Sequence, residues 1–97
     1  MAKGYWIAHV TVTDMEAWMR YVEGAREAFA THGARFLARG GAYEELETPM
    51  ERERHVLIEF PSLAAAKDCY HSSGYQAARL HREGAGIASI VITEGLS

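Results

Sequence analysis

The chain of 97 residues has one cysteine, two prolines and no asparagine. A lone thiol, Cys69, cannot close an internal disulfide, so a disulfide-stapled scaffold is excluded and an oxidising compartment is not implied. No apolar run approaches the roughly 18 residues of a membrane helix. The opening Met1-Ala2-Lys3-Gly4 leads straight into a strand-like segment, without the apolar core of a signal peptide. These absences point to a cytoplasmic protein with no membrane partner. Ten basic residues against thirteen acidic ones give a net charge of −3, which leaves no basic stripe for nucleic acid. Metal-ligand spacing is also missing. His71 and His81 lie across a predicted helix break, and Cys69 and His71 at i, i+2 face different ways. What remains is an ordinary globular composition, 48% hydrophobic and 24% charged, enough for a single domain over residues 1–97.

Hydrophobic periodicity divides the chain into alternating strands and helices. Residues 5–13 are rich in aromatic and β-branched side chains and read as a strand. Trp6, Ala8, Val10 and Val12 form its greasy face; Tyr5, Ile7, His9 and Thr11 form the mixed one. Asp14 has the chemistry of a helix N-cap. Met15, Trp18, Val22, Ala25 and Phe29 follow at helical spacing as one apolar stripe, and Gly33 reads as the stop. Residues 35–39 form a second strand, with Phe36 and Ala38 on one face and Arg35, Leu37 and Arg39 on the other. Gly40-Gly41 ends or bends it, and residues 43–47 are expected to continue it. Residues 48–54 are charged, aperiodic and exposed. Residues 55–60 form a third strand, with Val56, Ile58 and Phe60 opposite His55, Leu57 and Glu59. Ser62 caps a helix carrying Leu63, Ala66 and Tyr70. Ser72-Ser73-Gly74 interrupts it. A further helix over about 75–83 turns Ala78 and Leu80 inward, and residues 87–93 make the last strand.

The order β-α-β-β-α-β defines an α+β, ferredoxin-like subunit with an antiparallel sheet and its helices on one face. The third strand is then expected between the first and the second. The other sheet face would show Tyr5, Ile7, Leu37, Leu57 and Val91 to water. An apolar area of that kind marks a contact surface, and a second copy of the chain, sheet against sheet, covers it as a homodimer. The space between the sheets, or between sheet and helices, is the expected pocket for a small molecule. On the same open face stand His9, His55, Arg39 and Glu59. With the strands level, Glu59 would pair with Arg39 and hydrogen-bond His9. These three are the candidate catalytic residues: Arg39 for an anionic substrate, Glu59 or His9 as base. Tyr5 and His55, with Tyr70 and Tyr75 beside the helix break, are the candidate ligand-binding residues. Each has a plainer role open to it: an ion pair that fixes the sheet, an interface histidine, tyrosine rings packed in the core. No metal and no cofactor are expected, and the residues announce no reaction. Cys69, with no base nearby, reads as an inert helix cysteine.

Several blocks occur in a recognisable order: Gly-Tyr-Trp-Ile-Ala (4–8), Val-Thr-Asp (12–14), Arg-Phe-Leu-Ala-Arg-Gly-Gly (35–41), Val-Leu-Ile-Glu-Phe-Pro-Ser (56–62) and Tyr-x-Ser-x-x-Tyr-Gln (70–76). Together they resemble the family known as domain of unknown function 1330, over essentially the whole chain. The resemblance implies the dimeric α/β barrel superfamily, with a ferredoxin-like subunit and no agreed substrate. The family's typical residues fall on Asp14, Arg39, Gly40, Gly41, Glu59, Tyr70 and Tyr75. Ser73 and Gly74 stand where the family usually has proline and glutamate, and Met15 stands where proline commonly follows the aspartate. The superfamily includes cofactor-independent monooxygenases, isomerases, haem-degrading enzymes and stress proteins. Its haem-degrading constellation uses an asparagine, which this chain lacks. A cofactor-independent monooxygenase- or isomerase-like enzyme and a non-catalytic stress-response or ligand-binding dimer are the two functions the resemblance leaves.

Overall fold

The computed structural model describes residues 2–97; Met1, the first residue of the expected domain, lies outside the described residues. Four strands, β1 (Gly4–Val12), β2 (Arg35–Arg39), β3 (Arg54–Phe60) and β4 (Gly86–Glu94), pair in the order β2-β3-β1-β4. Every neighbouring pair is antiparallel. The expected placement of the third strand between the first and second therefore holds. Helix α1 (Met15–Thr31) follows β1; α2 (Leu63–His71), α3 (Ser73–Arg79) and a short 3-10 turn (Leu80–Arg82) lie between β3 and β4.

Local chemistry sets the helix ends. The Asp14 carboxylate accepts from the Ala17 amide at 3.1 Å, and the Ser62 hydroxyl accepts from the Ala65 amide at 3.0 Å. Each satisfies a backbone N–H that has no partner within the helix. Gly33 stops α1 with a φ of 76°, a left-handed conformation that costs glycine nothing. Ser72 does two jobs at the expected break. Its hydroxyl donates to the Cys69 carbonyl at 2.7 Å and accepts from the Tyr75 amide at 3.2 Å, so the chain restarts as a helix at Ser73 rather than near Tyr75.

The core lies between the sheet and the helices. Trp6, Ile58, Phe60, Cys69 and Tyr75 are its largest fully buried side chains. The expected stripe of α1 is divided in depth: Trp18 and Ala25 are buried, Val22 and Phe29 only half-buried, and Met15 is exposed, while Ala28, outside the expected stripe, is buried too. Two other expectations fail. Residues 43–47 form no strand, because beyond Gly40 the chain leaves β3. Leu80 is 59% exposed, since α3 gives way to a 3-10 turn there and the helical spacing no longer points it inward.

The most consequential departure is in β2. Phe36 opposes Ile58, but Ala38 opposes Leu57, and Arg39 opposes Val56. Leu37 is the extra residue of a β-bulge, which reverses the alternation beyond it. Arg39 therefore shares the helix-covered face with Phe36, and its guanidinium lies over the Phe36 ring, 4.4 Å from the centroid.

Candidate functional site

Because of the bulge, the expected cluster of His9, Arg39 and Glu59 does not form. Glu59 lies level with Tyr5 on β1 and Arg35 on β2. It accepts a hydrogen bond from the Tyr5 hydroxyl at 3.1 Å and has the Lys3 ammonium at 4.0 Å. That bond to Glu59, with smaller contributions from desolvation and from the carboxylate charge, raises the Tyr5 phenol above its ordinary range. At this end of the open face Glu59 is hydrogen-bonded to Tyr5 with Lys3 nearby, and the expected pairing with Arg39 is absent among the described residues.

His9 sits level with His55, with 2.8 Å between their Nδ1 atoms. One Nδ1 must donate and the other accept. The His55 Nε2 is buried with no partner. A buried N–H without an acceptor is costly, so the favoured tautomers have His55 donating from Nδ1 and His9 carrying its own proton on Nε2. The loop after β2 closes over this pair: the Tyr43 ring stands 4.5 Å from the His55 ring, edge to face, and the Glu51 carbonyl accepts from the Thr11 hydroxyl at 3.2 Å.

Tyr70 and Tyr75 pack into the aromatic core around Trp6, with ring centroids 5.7 and 5.0 Å from it. The Tyr75 hydroxyl lies 2.9 Å from that of Tyr21 and accepts from Arg82 at 3.5 Å. The Tyr21 phenol is held far above its ordinary range, first by burial and then by the adjacent Tyr75. At neutral pH it is a hydroxyl and cannot serve as a base.

The large cavity lies on the other side of the sheet from the histidines. It occupies about 380 Å³ between α1 and the strands, within the size range of small-molecule sites. Trp6, Trp18, Tyr21, Val22, Phe29 and Ile90 supply aromatic and aliphatic wall, and Arg26, Arg39 and Arg54 the charge. Val22 and Phe29, half-buried on α1, form part of the cavity's helical wall. Among the seven candidate site residues, Arg39 alone lines the cavity; Tyr5, His9, His55, Glu59, Tyr70 and Tyr75 do not. Arg54, Arg26 and Tyr21 are the residues that sequence reasoning missed. A signal existed for two of them. Arg54 is in phase with Val56, Ile58 and Phe60, and Arg26 lies one turn beyond Val22.

Cys69 is buried and its thiol donates to the Ala28 carbonyl at 3.6 Å. Burial pushes its pKa up to about 11. An unfolded thiol ionises near 8.5. The neutral thiol's contribution to stability is thus fully present below that value and lost as pH rises through about 11. Cys69→Ala should flatten the alkaline limb of a stability–pH curve. Native protein at pH 8 should resist a thiol reagent that labels it at once in denaturant. Rapid labelling of the native protein would show the thiol to be accessible. No group of three or more histidine, cysteine, aspartate or glutamate side chains is placed to hold a metal ion among the described residues. No helix among them is long and apolar enough to cross a membrane.

A four-stranded antiparallel sheet with its helices on one face and a cavity beneath α1 defines a ferredoxin-like α+β protein. The chain belongs to the family described as domain of unknown function (DUF1330), whose model matches residues 3–96. No curated protein matches the sequence. Among solved structures it is similar to a protein of unknown function from Rhodopseudomonas palustris, with 18% identity over 99% of this chain and 84% of that one, at a TM-score of 0.78. It is also similar to SnoaB, a cofactor-independent oxygenase from Streptomyces nogalater: 10% identity, 100% and 96% coverage, TM-score 0.64. A dabb family protein from Mesorhizobium loti with a ferredoxin-like fold gives 12% identity, 100% and 98% coverage, and a TM-score of 0.62. At these identities the likeness is one of fold.

Proposed function

We propose that the protein binds a small molecule in the cavity between α1 and the sheet. The observation that carries this is the cavity itself, about 380 Å³ of mostly apolar wall inside a domain of 97 residues. An unfilled space of that size forfeits dispersion contacts that a well-packed core would make, and a ligand restores them. The test is calorimetric titration with naphthamide, an uncharged apolar probe, against wild type and Val22→Trp. Binding to wild type is expected, with loss of binding in Val22→Trp while its far-ultraviolet circular dichroism stays native. No binding to wild type, or equal binding to both, would overturn the proposal.

Catalysis of the cofactor-independent kind named for SnoaB is the second reading, supported by that likeness of fold. Among the described residues the cavity wall carries no carboxylate, histidine or lysine. A reaction there would therefore suit a substrate that is itself an anion rather than one that needs a protein base. Binding without turnover, in a stress-response or carrier protein, needs none of this. A cytoplasmic location is consistent with the free thiol of Cys69.

We further propose that the open sheet face joins a second copy. Leu37, Ile87 and Val91 on or beside it are 45%, 54% and 60% exposed, and family membership supports the same assembly. Sedimentation at micromolar concentration should give twice the 10.8 kDa of one chain, and Val91→Lys should return it to the single-chain mass. A single-chain mass for wild type would refute the dimer.

A further inference from the structure

Three of the chain's ten basic residues line one cavity, although the chain as a whole is acidic. Their positions follow from the fold. Arg39 opposes Val56 on β3, and Arg54 is the next residue of β3 on that same face. The two side chains are thus diagonal neighbours across β2 and β3, within reach of one small group. The Arg54 guanidinium also lies beside Gly40, where a Cβ would stand at an ordinary contact distance of 3.8 Å from Nε. Arg26 arrives from the opposite wall. The Phe29 and Phe36 rings meet edge to face at 5.4 Å, which fixes where α1 crosses β2. Helix α1 runs antiparallel to β2, so the step back from Phe29 to Arg26 and the step forward from Phe36 to Arg39 lead the same way. All three residues therefore stand toward the β2 side of the cavity, with the Arg39 guanidinium over the Phe36 ring.

Their partners differ. Arg26 pairs with Glu23 of its own helix at 3.2 Å. Neither Arg39 nor Arg54 has a carboxylate within 4.0 Å among the described residues. Like charges held side by side repel, and a bound anion relieves that repulsion. A guanidinium presents its donors in a fork that matches a carboxylate. Beyond the arginines the wall is aromatic and aliphatic.

We propose that the ligand is an organic carboxylate with an apolar body, its body between α1 and the sheet near Trp6 and Trp18 and its carboxylate held by Arg39 and Arg54. This rests on the cavity being a binding site and adds the chemical class of the occupant. The bulge at Leu37 is then a recognition device, since regular alternation would send Arg39 to the other face of the sheet.

The test compares naphthoate with naphthamide, which has the same body without the charge, by titration calorimetry on wild type, Arg39→Gln, Arg54→Gln and the double variant. Wild type should favour naphthoate by about tenfold or more at low salt. Each single variant should lose part of that preference and the double variant nearly all of it, read as the ratio of naphthoate to naphthamide affinity on each variant. Native far-ultraviolet circular dichroism and an unchanged urea midpoint report that the variants have folded. Equal affinity of wild type for the two probes would overturn the carboxylate assignment and leave the cavity as a binding site. A preference that survives in the double variant would overturn the assignment to these arginines. Binding of neither probe would overturn both proposals.

Discussion

Trp6→Ala should cost the domain about 3–5 kcal/mol, the range for truncating a buried aromatic residue. A domain of this size is held by about 5–15 kcal/mol in total, so the variant will be largely unfolded or will melt upward of about 12 °C lower. The reason is Trp6's place in the core. It is 2% exposed and its ring stands 5.3 Å from that of Phe29, 6.0 Å from Phe60 and 5.0 Å from Tyr75. One residue of the central strand thus touches α1, β3 and α3 together. It also forms part of the cavity wall, so its removal enlarges an existing space that the surroundings have little material to fill. Urea denaturation of wild type and variant measures the loss. A difference below about 1 kcal/mol would mean that the aromatic cluster repacks and does not depend on this ring.

Gly4→Ala should be nearly as damaging, for the opposite reason. Gly4 is buried at the start of β1, where the first turn of α2 crosses it. An added Cβ would stand 2.6 Å from the Ser62 carbonyl carbon and 2.7 Å from the Leu63 Cα. Both are backbone atoms at a capped helix start and cannot turn aside as a side-chain tip can. A single methyl group must therefore push α2 off the sheet, at a cost of about 3 kcal/mol, the upper end for overpacking. Ala2→Gly, a change outside the strand, serves as the control. If Gly4→Ala unfolds at the wild-type urea concentration, the α2 start is not held where it appears.

Much of this was legible in the sequence. Asp14 and Ser62 announced their helices because capping is local chemistry, decided within four residues. The phases of β1 and β3 were legible because the apolar residues at even positions leave no other face for the core. Strand order followed from the ferredoxin-like connectivity. The site was harder. Arg39 was singled out, yet on the wrong face, because strict alternation in Arg-Phe-Leu-Ala-Arg gives no hint of an extra residue. The signal of a bulge is pairing with another strand, which no single strand carries. Glu59 was joined to Arg39 on the same premise, and the true partner, Tyr5, is level with it only through the β1–β3 register. Arg54 was assigned to a charged connection because charge hid its phase. Tyr70 and Tyr75 stand beside the expected helix break, but the short restart at Ser73 turns Tyr75 into the core.

The cavity and the open sheet face lie on opposite sides of one layer of strands, and this governs how their equilibria are linked. A second copy laid against Ile7, Leu57 and Val91 touches no residue of the cavity wall. A ligand between α1 and the strands touches none of the residues a partner would cover. No side chain is shared between the two events, so no direct contact couples them, and the strands, above all β2 at its Leu37 bulge, are the one layer through which they could be linked. If that layer holds its register, occupancy should depend on ligand concentration and not on protein concentration, and each copy in an assembly would fill independently, with a Hill coefficient of about one.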